Sequence, residues 1–259
     1  MTEAVGSGSI SPPIGIEQPP SARTAAKANT ASLRSHRGAK AFMGFTTMPS
    51  PETRILSDTS LTNRDLDACD EPFSLFQQWF DEARASEIND PEAMSLATVD
   101  ADGLPDVRML LCKGVEADSL LFYTNAESAK GRQLEGQPKA AALFHWKSLR
   151  KQARFRGPVT PLDAAAADDY FQSRPRNSQI GAWASQQSRP LGSRAALEAS
   201  VAEFAAKYGD GEIPRPDYWR GFRLTPVEVE LWADGAFRLH DRVRFTRQGA
   251  GWTRRRLYP

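Results

Sequence analysis

The chain has 259 residues, with 33 Lys and Arg against 32 Asp and Glu, and a net charge of +1 at neutral pH. A balance so close to zero argues against a partner recognised through the charge of the whole molecule, such as nucleic acid or an anionic membrane. Two cysteines make no disulfide framework, and no apolar run approaches the roughly 20 residues that span a bilayer, so the expected setting is a reducing one, the cytoplasm.

Residues 1 to about 60 are rich in Ser, Thr, Ala, Gly and Pro and nearly lack aliphatic or aromatic clusters. Such a segment buries too little apolar surface to offset the entropy of ordering. It reads as a disordered extension over 1–60, ahead of a folded domain at 61–259. Its scattered Arg and Lys resemble an organelle transit peptide, but Glu3 and the prolines argue against targeting. A tail, or a true translation start at Met43 or Met48, accounts for it better.

In the folded part, PFSLFQQWFDEARASE from Pro72 to Glu87 carries Phe73, Phe76, Phe80 and Ala83 at helical spacing. Its acids gather near the C-terminal end, the wrong side for the helix dipole. Then the period changes: MSLATVD, the turn ADG and PDVRMLLCKG predict a β-hairpin. SLLFYTN (119–125) is a third strand, ESAKGRQLEG a short helix ending at Gly136, and KAAALFHW and QARFRGPV two more strands. PLDAAAADDYFQS from Pro161 is helical by propensity, with Tyr170 near its end.

RPRNSQIGAWASQQS (174–188) crowds two arginines, amides and hydroxyls into fifteen residues around a proline-stiffened turn. A guanidinium offers a rigid fork of donors and Ser and Gln satisfy further oxygens, which suits a phosphorylated ligand. SRAALEASVAEFAAKY is a helix with Leu197, Val201, Phe204 and Tyr208 on one face. GFRLTPVEVELWA, FRLHDRVRFTR and GWTRRRLY read as closing strands, with Val227, Val229 and Leu231 at half-buried spacing. Seven or eight strands and four helices, mostly joined by short turns, predict a mainly β fold: an antiparallel barrel with peripheral helices.

Several chemistries lack their signatures. There is no G-x-G-x-x-G, P-loop or G-x-S-x-G. His36, His145 and His240 are scattered without Cys or acids at ligand spacing, so no metal site is expected. Arg108 and Lys113 are five apart, on opposite faces of an ideal strand, so a bulge or a strand end must intervene if they share a ligand.

The motifs RMLLCKG, FYTNAESAKG, the Gln152 strand, YFQSRPRNSQIGAWASQQS, DYWRGFRL and LWADGAFRLHDR occur in this order. Together they closely resemble the pyridoxamine 5′-phosphate oxidase family over about 64–259. The resemblance implies an antiparallel FMN-binding split β-barrel, a homodimer with flavin at the subunit interface, and oxidation of pyridoxamine and pyridoxine 5′-phosphates by O2 to pyridoxal 5′-phosphate. Hydride would leave C4′ of the substrate for flavin N5, and O2 would become peroxide, with ammonia released from the amine.

Residue by residue, the resemblance implies flavin contacts from Arg108 and Lys113, with Met109, Leu110, Leu111 and Cys112 between them lending backbone. It adds Tyr123 and Thr124, Lys130 at the FMN phosphate, Gln152 beside the ring system, the pair Gln187 and Ser188, and Trp219 with Arg242. Ala129 stands where the family has arginine, which removes one phosphate contact unless Arg132 substitutes. Trp219-Arg220-Gly221 replaces the usual WGG.

For the substrate phosphate the resemblance implies a clamp of Lys113, Tyr170, Arg174 and Ser178, while Arg176, Gln179 and Trp183 support it structurally. RLHDR implies Arg238, Leu239 and His240 at the pyridine ring. Arg238 would stabilise developing charge, His240 would take up a proton, and Asp241 would orient its neighbours. The family's Arg and Tyr substrate lid has only Arg54 to match it here.

Three other readings stay open: a related FMN oxidase of secondary metabolism, a non-catalytic flavin or pyridoxal-phosphate carrier, and nucleic-acid binding by Arg254 to Arg256. The near-neutral chain and the lack of an RNA-reading motif disfavour the last.

Overall fold

The computed structural model describes residues 65–259. The expected extension over 1–60, the alternative starts Met43 and Met48, and Arg54 lie outside the described residues. A helical turn over 65–68 leads into helix α1 (Pro72–Ser86), whose buried face is Phe73, Phe76, Trp79, Phe80 and Ala83. Its N-terminus is capped by Glu71, whose carboxylate accepts from the Phe73 N–H at 3.1 Å and the Ser74 N–H at 2.7 Å. A negative charge therefore does sit at the positive end of the dipole. The C-terminal acids are used in tertiary contacts: Glu82 accepts from Lys151 at 2.6 Å and Glu87 from the Ser148 N–H at 2.8 Å.

The strands are β1 (Ala93–Val99), β2 (Pro105–Leu111), β3 (Gly114–Glu116), β4 (Ser119–Asn125), β5 (Lys139–Trp146), β6 (Lys151–Pro161), β7 (Trp219–Leu224), β8 (Glu228–Ala233), β9 (Asp241–Gln248) and β10 (Gly251–Leu257). All pairings are antiparallel, in the order β10-β9-β8-β6-β5-β1-β2, with β7, β4 and β3 continuing from β6. The expected strands are present. Among the described residues there are ten rather than seven or eight, because β3 is a short addition and GFRLTPVEVELWA divides at Thr225–Val227 into β7 and β8. Val227 falls in that break and is exposed, while Val229 and Leu231 are fully buried.

The sheet curls because β6 changes partner along its length. Lys151–Arg156 pair with β8, and Val159–Pro161 with β7. Gly157 sits at the changeover, where a Cβ would lie 2.2 Å from the Thr225 carbonyl oxygen. Only glycine lets the two backbones approach so closely. Inside the curl, Phe76 of α1 packs on Phe144 (5.1 Å between ring centres) and Phe155 (4.8 Å).

Helices α2 (Ala129–Gly136), α3 (Ala164–Gln172), α4 (Arg176–Ala184) and α5 (Arg194–Tyr208) lie at the periphery. The stretch expected as a turn at 174–188 contains α4, one helix more than the sequence suggested, with Pro175 as its N-cap. On α5 no residue is buried: Val201 is exposed and Leu197, Phe204 and Tyr208 are half-buried. A second small core of Phe171, Ile180, Ile213 and Trp219 joins α3 and α4 to the start of β7. Among the described residues, no helix is long and apolar enough to cross a membrane.

Candidate active site

Two groups of the expected site residues emerge, and no hydrogen bond or ion pair joins them among the described residues. The first gathers where β4, β7, α3 and α4 meet. Trp219, buried at the start of β7, stacks on Tyr123 of β4 at 5.3 Å, and Tyr123 stacks on Tyr170 of α3 at 4.1 Å. The Arg174 guanidinium lies 5.0 Å from the Trp219 ring centre, a cation–π distance. Its Nη1 is buried and has no hydrogen-bond partner among the described residues. Burial pushes the Arg174 pKa down, as expected for a cation partly held out of water. Arg174, Ser178, Gln187 and Trp219 line one cavity of about 260 Å³.

Lys130, in the first turn of α2, extends this group. Its ammonium donates to Gln187 Oε1 at 2.7 Å and to Thr124 Oγ1 and Ser128 Oγ at 3.3 Å each, with no ion pair among the described residues. Burial, and secondarily the Arg108 charge, hold its pKa below the usual lysine value. A partly desolvated ammonium among neutral acceptors at a helix N-terminus suits an anion. Arg132, the possible replacement for the arginine missing at Ala129, instead donates to the Glu127 carbonyl. Ser188 follows Gln187 as an exposed residue with a left-handed φ of 69°.

Arg108 on β2 is held within the chain, donating to Thr98 Oγ1 at 2.6 Å, the Leu96 carbonyl at 3.1 Å and Gln133 at 3.1 Å, and pairing with Asp106 at 2.5 Å. Sequence reading missed Asp106, although it lies two residues away on the same face of the strand. Met109 is exposed, Leu110 and Leu111 are half-buried, and Cys112 is buried with its thiol donating to the Gly114 carbonyl. Lys113 is exposed in the link between β2 and β3, so a strand end does separate it from Arg108.

The second group lies at the other end of β6. Gln152 pairs with Trp232 of β8, which pairs with Arg242 of β9, and all three line a cavity of about 280 Å³. Arg242 is anchored within the chain, donating to Glu230 at 2.7 and 2.9 Å and to the Tyr258 carbonyl. RLHDR does not run as one strand. β9 begins at Asp241, and Ala236–Arg238 form a 3-10 turn in which Phe237 and Arg238 are left-handed, at φ 56° and 67°. Arg238 and Leu239 are therefore exposed on a loop, with half-buried His240 closing it.

Arg176 donates to the Gly209 and Gly211 carbonyls, Gln179 to those of Phe171 and Gln172, and Trp183 to that of Pro214. Asp241 is held by Arg256, and the carboxylate beside His240 is Asp234, at 3.0 Å from Nδ1. Arg254 and Arg256 are tied to Asp67, so these two arginines of the basic C-terminal run are engaged within the chain.

Residues 80–208 match the family described as pyridoxamine 5′-phosphate oxidase, and 219–259 match the pyridoxine 5′-phosphate oxidase C-terminal dimerisation region. Among relatives named pyridoxine/pyridoxamine 5′-phosphate oxidase, that of Azorhizobium caulinodans is 60% identical over 77% of this chain and 95% of its own. That of Nitrobacter winogradskyi is 57% identical over 80% and 98%. The structure of PhzG from Burkholderia lata 383, in complex with tetrahydrophenazine-1-carboxylic acid, superposes with a TM-score of 0.72 at 32% identity, over 77% of this chain and 98% of that one. A pyridoxamine 5′-phosphate oxidase-related, FMN binding protein of Nostoc punctiforme PCC 73102 shares the fold, with a TM-score of 0.57 at 21% identity over 71% and 95%. With this identity extending over nearly the whole length of its relatives and across a curled antiparallel sheet of the same build, the chain belongs to the pyridoxine/pyridoxamine 5′-phosphate oxidase family of oxidoreductases.

Proposed function

We propose that the protein is an FMN-dependent oxidase that converts pyridoxine 5′-phosphate and pyridoxamine 5′-phosphate to pyridoxal 5′-phosphate, with O2 as the final electron acceptor. The observation that carries this reading is the buried Nη1 of Arg174, which has no partner among the described residues and lines a cavity together with Ser178. A buried guanidinium nitrogen without an acceptor is costly, and a phosphate oxygen would satisfy it. FMN bound with its phosphate at Lys130 would supply the two-electron acceptor for the hydride leaving C4′.

The chain's own residues then have separable tasks. Arg174, Ser178 and Tyr170, joined by Lys113, hold the substrate phosphate. Pro175 at the head of α4 fixes the backbone next to Arg174 before binding, which lowers the ordering cost. Arg238 orients the pyridine oxygen and stabilises charge developing on it. His240 accepts the proton lost from the 4′-amine or 4′-hydroxyl. The separation of the Lys130 group from the Gln152 and Arg242 group favours a site completed by a second copy, consistent with the match of 219–259 to a dimerisation region.

Mixing FMN-loaded protein anaerobically with pyridoxine 5′-phosphate tests the proposal. Bleaching of the flavin, reversed by air as pyridoxal 5′-phosphate appears, is expected. An unchanged spectrum with both phosphates would sink it. A second reading, an FMN oxidase of secondary metabolism, draws on the likeness to PhzG, and oxidation of a phenazine precursor in preference to either B6 phosphate would favour it.

A further inference from the structure

The loop between β8 and β9 contains a contact to which the family resemblance assigned no role. The last pair of the ladder is Ala233 with Asp241, so the next residues on each side, Asp234 and His240, face each other across the mouth of the loop. Asp234 Oδ1 lies 3.0 Å from His240 Nδ1. The same nitrogen lies 3.2 Å from the backbone N of Gly235. One ring nitrogen cannot serve both: it accepts from the Gly235 N–H when bare and donates to Asp234 when protonated.

Three features favour the carboxylate. The hydrogen bond to Asp234 is charge-assisted and so about twice as strong as one from a neutral amide. The carboxylate is mostly buried, and its other oxygen pairs with Arg150, which fixes its orientation. The loop itself is closed tightly, since a Cβ on Gly235 would meet the Leu239 carbonyl oxygen at 2.0 Å. Trp232 packs against the imidazole, with ring centres 4.8 Å apart. Nε2 has no hydrogen-bond partner among the described residues.

We propose that Asp234 is a positioning residue for His240: it holds the neutral imidazole as the Nδ1–H tautomer, so that Nε2 carries the lone pair that takes the substrate's proton. The proton passes from the 4′-amine or 4′-hydroxyl to Nε2, while Nδ1 keeps its own proton on Asp234. This inference rests on the reading of His240 as proton acceptor given above.

The test is nitrogen NMR of the unmodified full-length protein labelled in histidine, at a pH where the ring is neutral. The chain has three histidines, so His240→Asn identifies the signal. The expected spectrum has a protonated Nδ1 and a bare Nε2 at His240, reversed in Asp234→Ala, where Gly235 would donate to Nδ1. An Nε2–H tautomer in the unmodified protein, or an unchanged tautomer in Asp234→Ala, overturns the proposal. The unmodified protein is decisive by itself if the variant does not fold. In turnover, Asp234→Ala is expected to lower kcat about tenfold or more with KM for pyridoxine 5′-phosphate nearly unchanged. A loss confined to KM also counts against it. Full activity in His240→Asn would remove the underlying reading of His240, an outcome distinct from a wrong tautomer in an otherwise histidine-dependent enzyme.

Discussion

Arg174 presses its guanidinium against the face of Trp219, 5.0 Å from the ring centre, and leaves its Nη1 buried without a partner among the described residues. The indole fixes where the cation sits but cannot satisfy its donors. Replacing Arg174 by Met should therefore weaken binding of a phosphorylated ligand without harming the ligand-free fold. The expected loss is about 1.5–3 kcal/mol, the worth of a hydrogen bond to a charged group, or roughly ten- to a hundredfold in KM. Unphosphorylated pyridoxine should be much less affected. Thermal unfolding of the ligand-free variant should match or exceed that of the parent, and a clear drop would mean that Arg174 has a structural partner.

Lys130 gives a pH signature. Its folded pKa lies below the ordinary 10.5 because of burial. Below the folded value both states carry the charge and the cost of burying it is fully present. As pH rises toward 10.5 the folded state sheds its proton first, and that cost is relieved. Flavin-free protein should gain stability from this group across that window, and Lys130→Met should remove the gain. FMN affinity, followed by quenching of flavin fluorescence, should fall over the same window and drop about tenfold or more in Lys130→Met.

Cys112 has the opposite sign. Burial pushes its thiol up to about 11 from 9.0, so the unfolded chain ionises first. Its contribution is fully present below 9.0 and is lost as pH rises through about 11. The linkage amounts to roughly 2–3 kcal/mol. Denaturation in this range should show a falling stability whose slope is shallower in Cys112→Ala, and a slope identical in both proteins would refute the assignment. In the native protein at neutral pH, the thiol should resist aromatic disulfide reagents until the chain unfolds.

Gly157→Ala should cost at least about 2 kcal/mol in chemical denaturation. The new methyl would meet two backbone groups, the Thr225 oxygen at 2.2 Å and the Pro226 Cα at 2.7 Å, and neither can swing aside. A loss below about 1 kcal/mol, the usual effect of a strand surface substitution, would show that the changeover in β6 is looser than this.

Much of the fold could be read from periodicity. Phe73, Phe76, Phe80 and Ala83 recur at helical spacing, and all are buried. Alternation marked β1, where Met94, Leu96 and Thr98 face the interior. Helix α4 was hidden because its buried residues, Gln179, Ile180 and Ala184, make no apolar stripe. The RLHDR run passed for a strand because backbone sign leaves no mark in composition: Phe237 and Arg238 are left-handed without being glycine. At the site, cations could be singled out by type, but the approach of Arg174 to Trp219 joins positions 45 residues apart, and no spacing rule reports it. Sequence adjacency drew attention to Asp241, whereas the acid 3.0 Å from His240 is Asp234, which the ladder register puts opposite it.

The double pairing of β6 bears on how the molecule comes apart. Residues 151–156 are bonded to both β5 and β8, the β5 ladder runs on to Pro158, and 159–161 pair with β7, so either arm of the sheet can leave only by exposing a strand the other arm still needs. Separate melting of the two arms is thereby suppressed, and the whole sheet should open as one cooperative unit. The amides of 151–161 should be the slowest in the chain to exchange with deuterium, and a ligand gripping either end of β6 should slow exchange at the other.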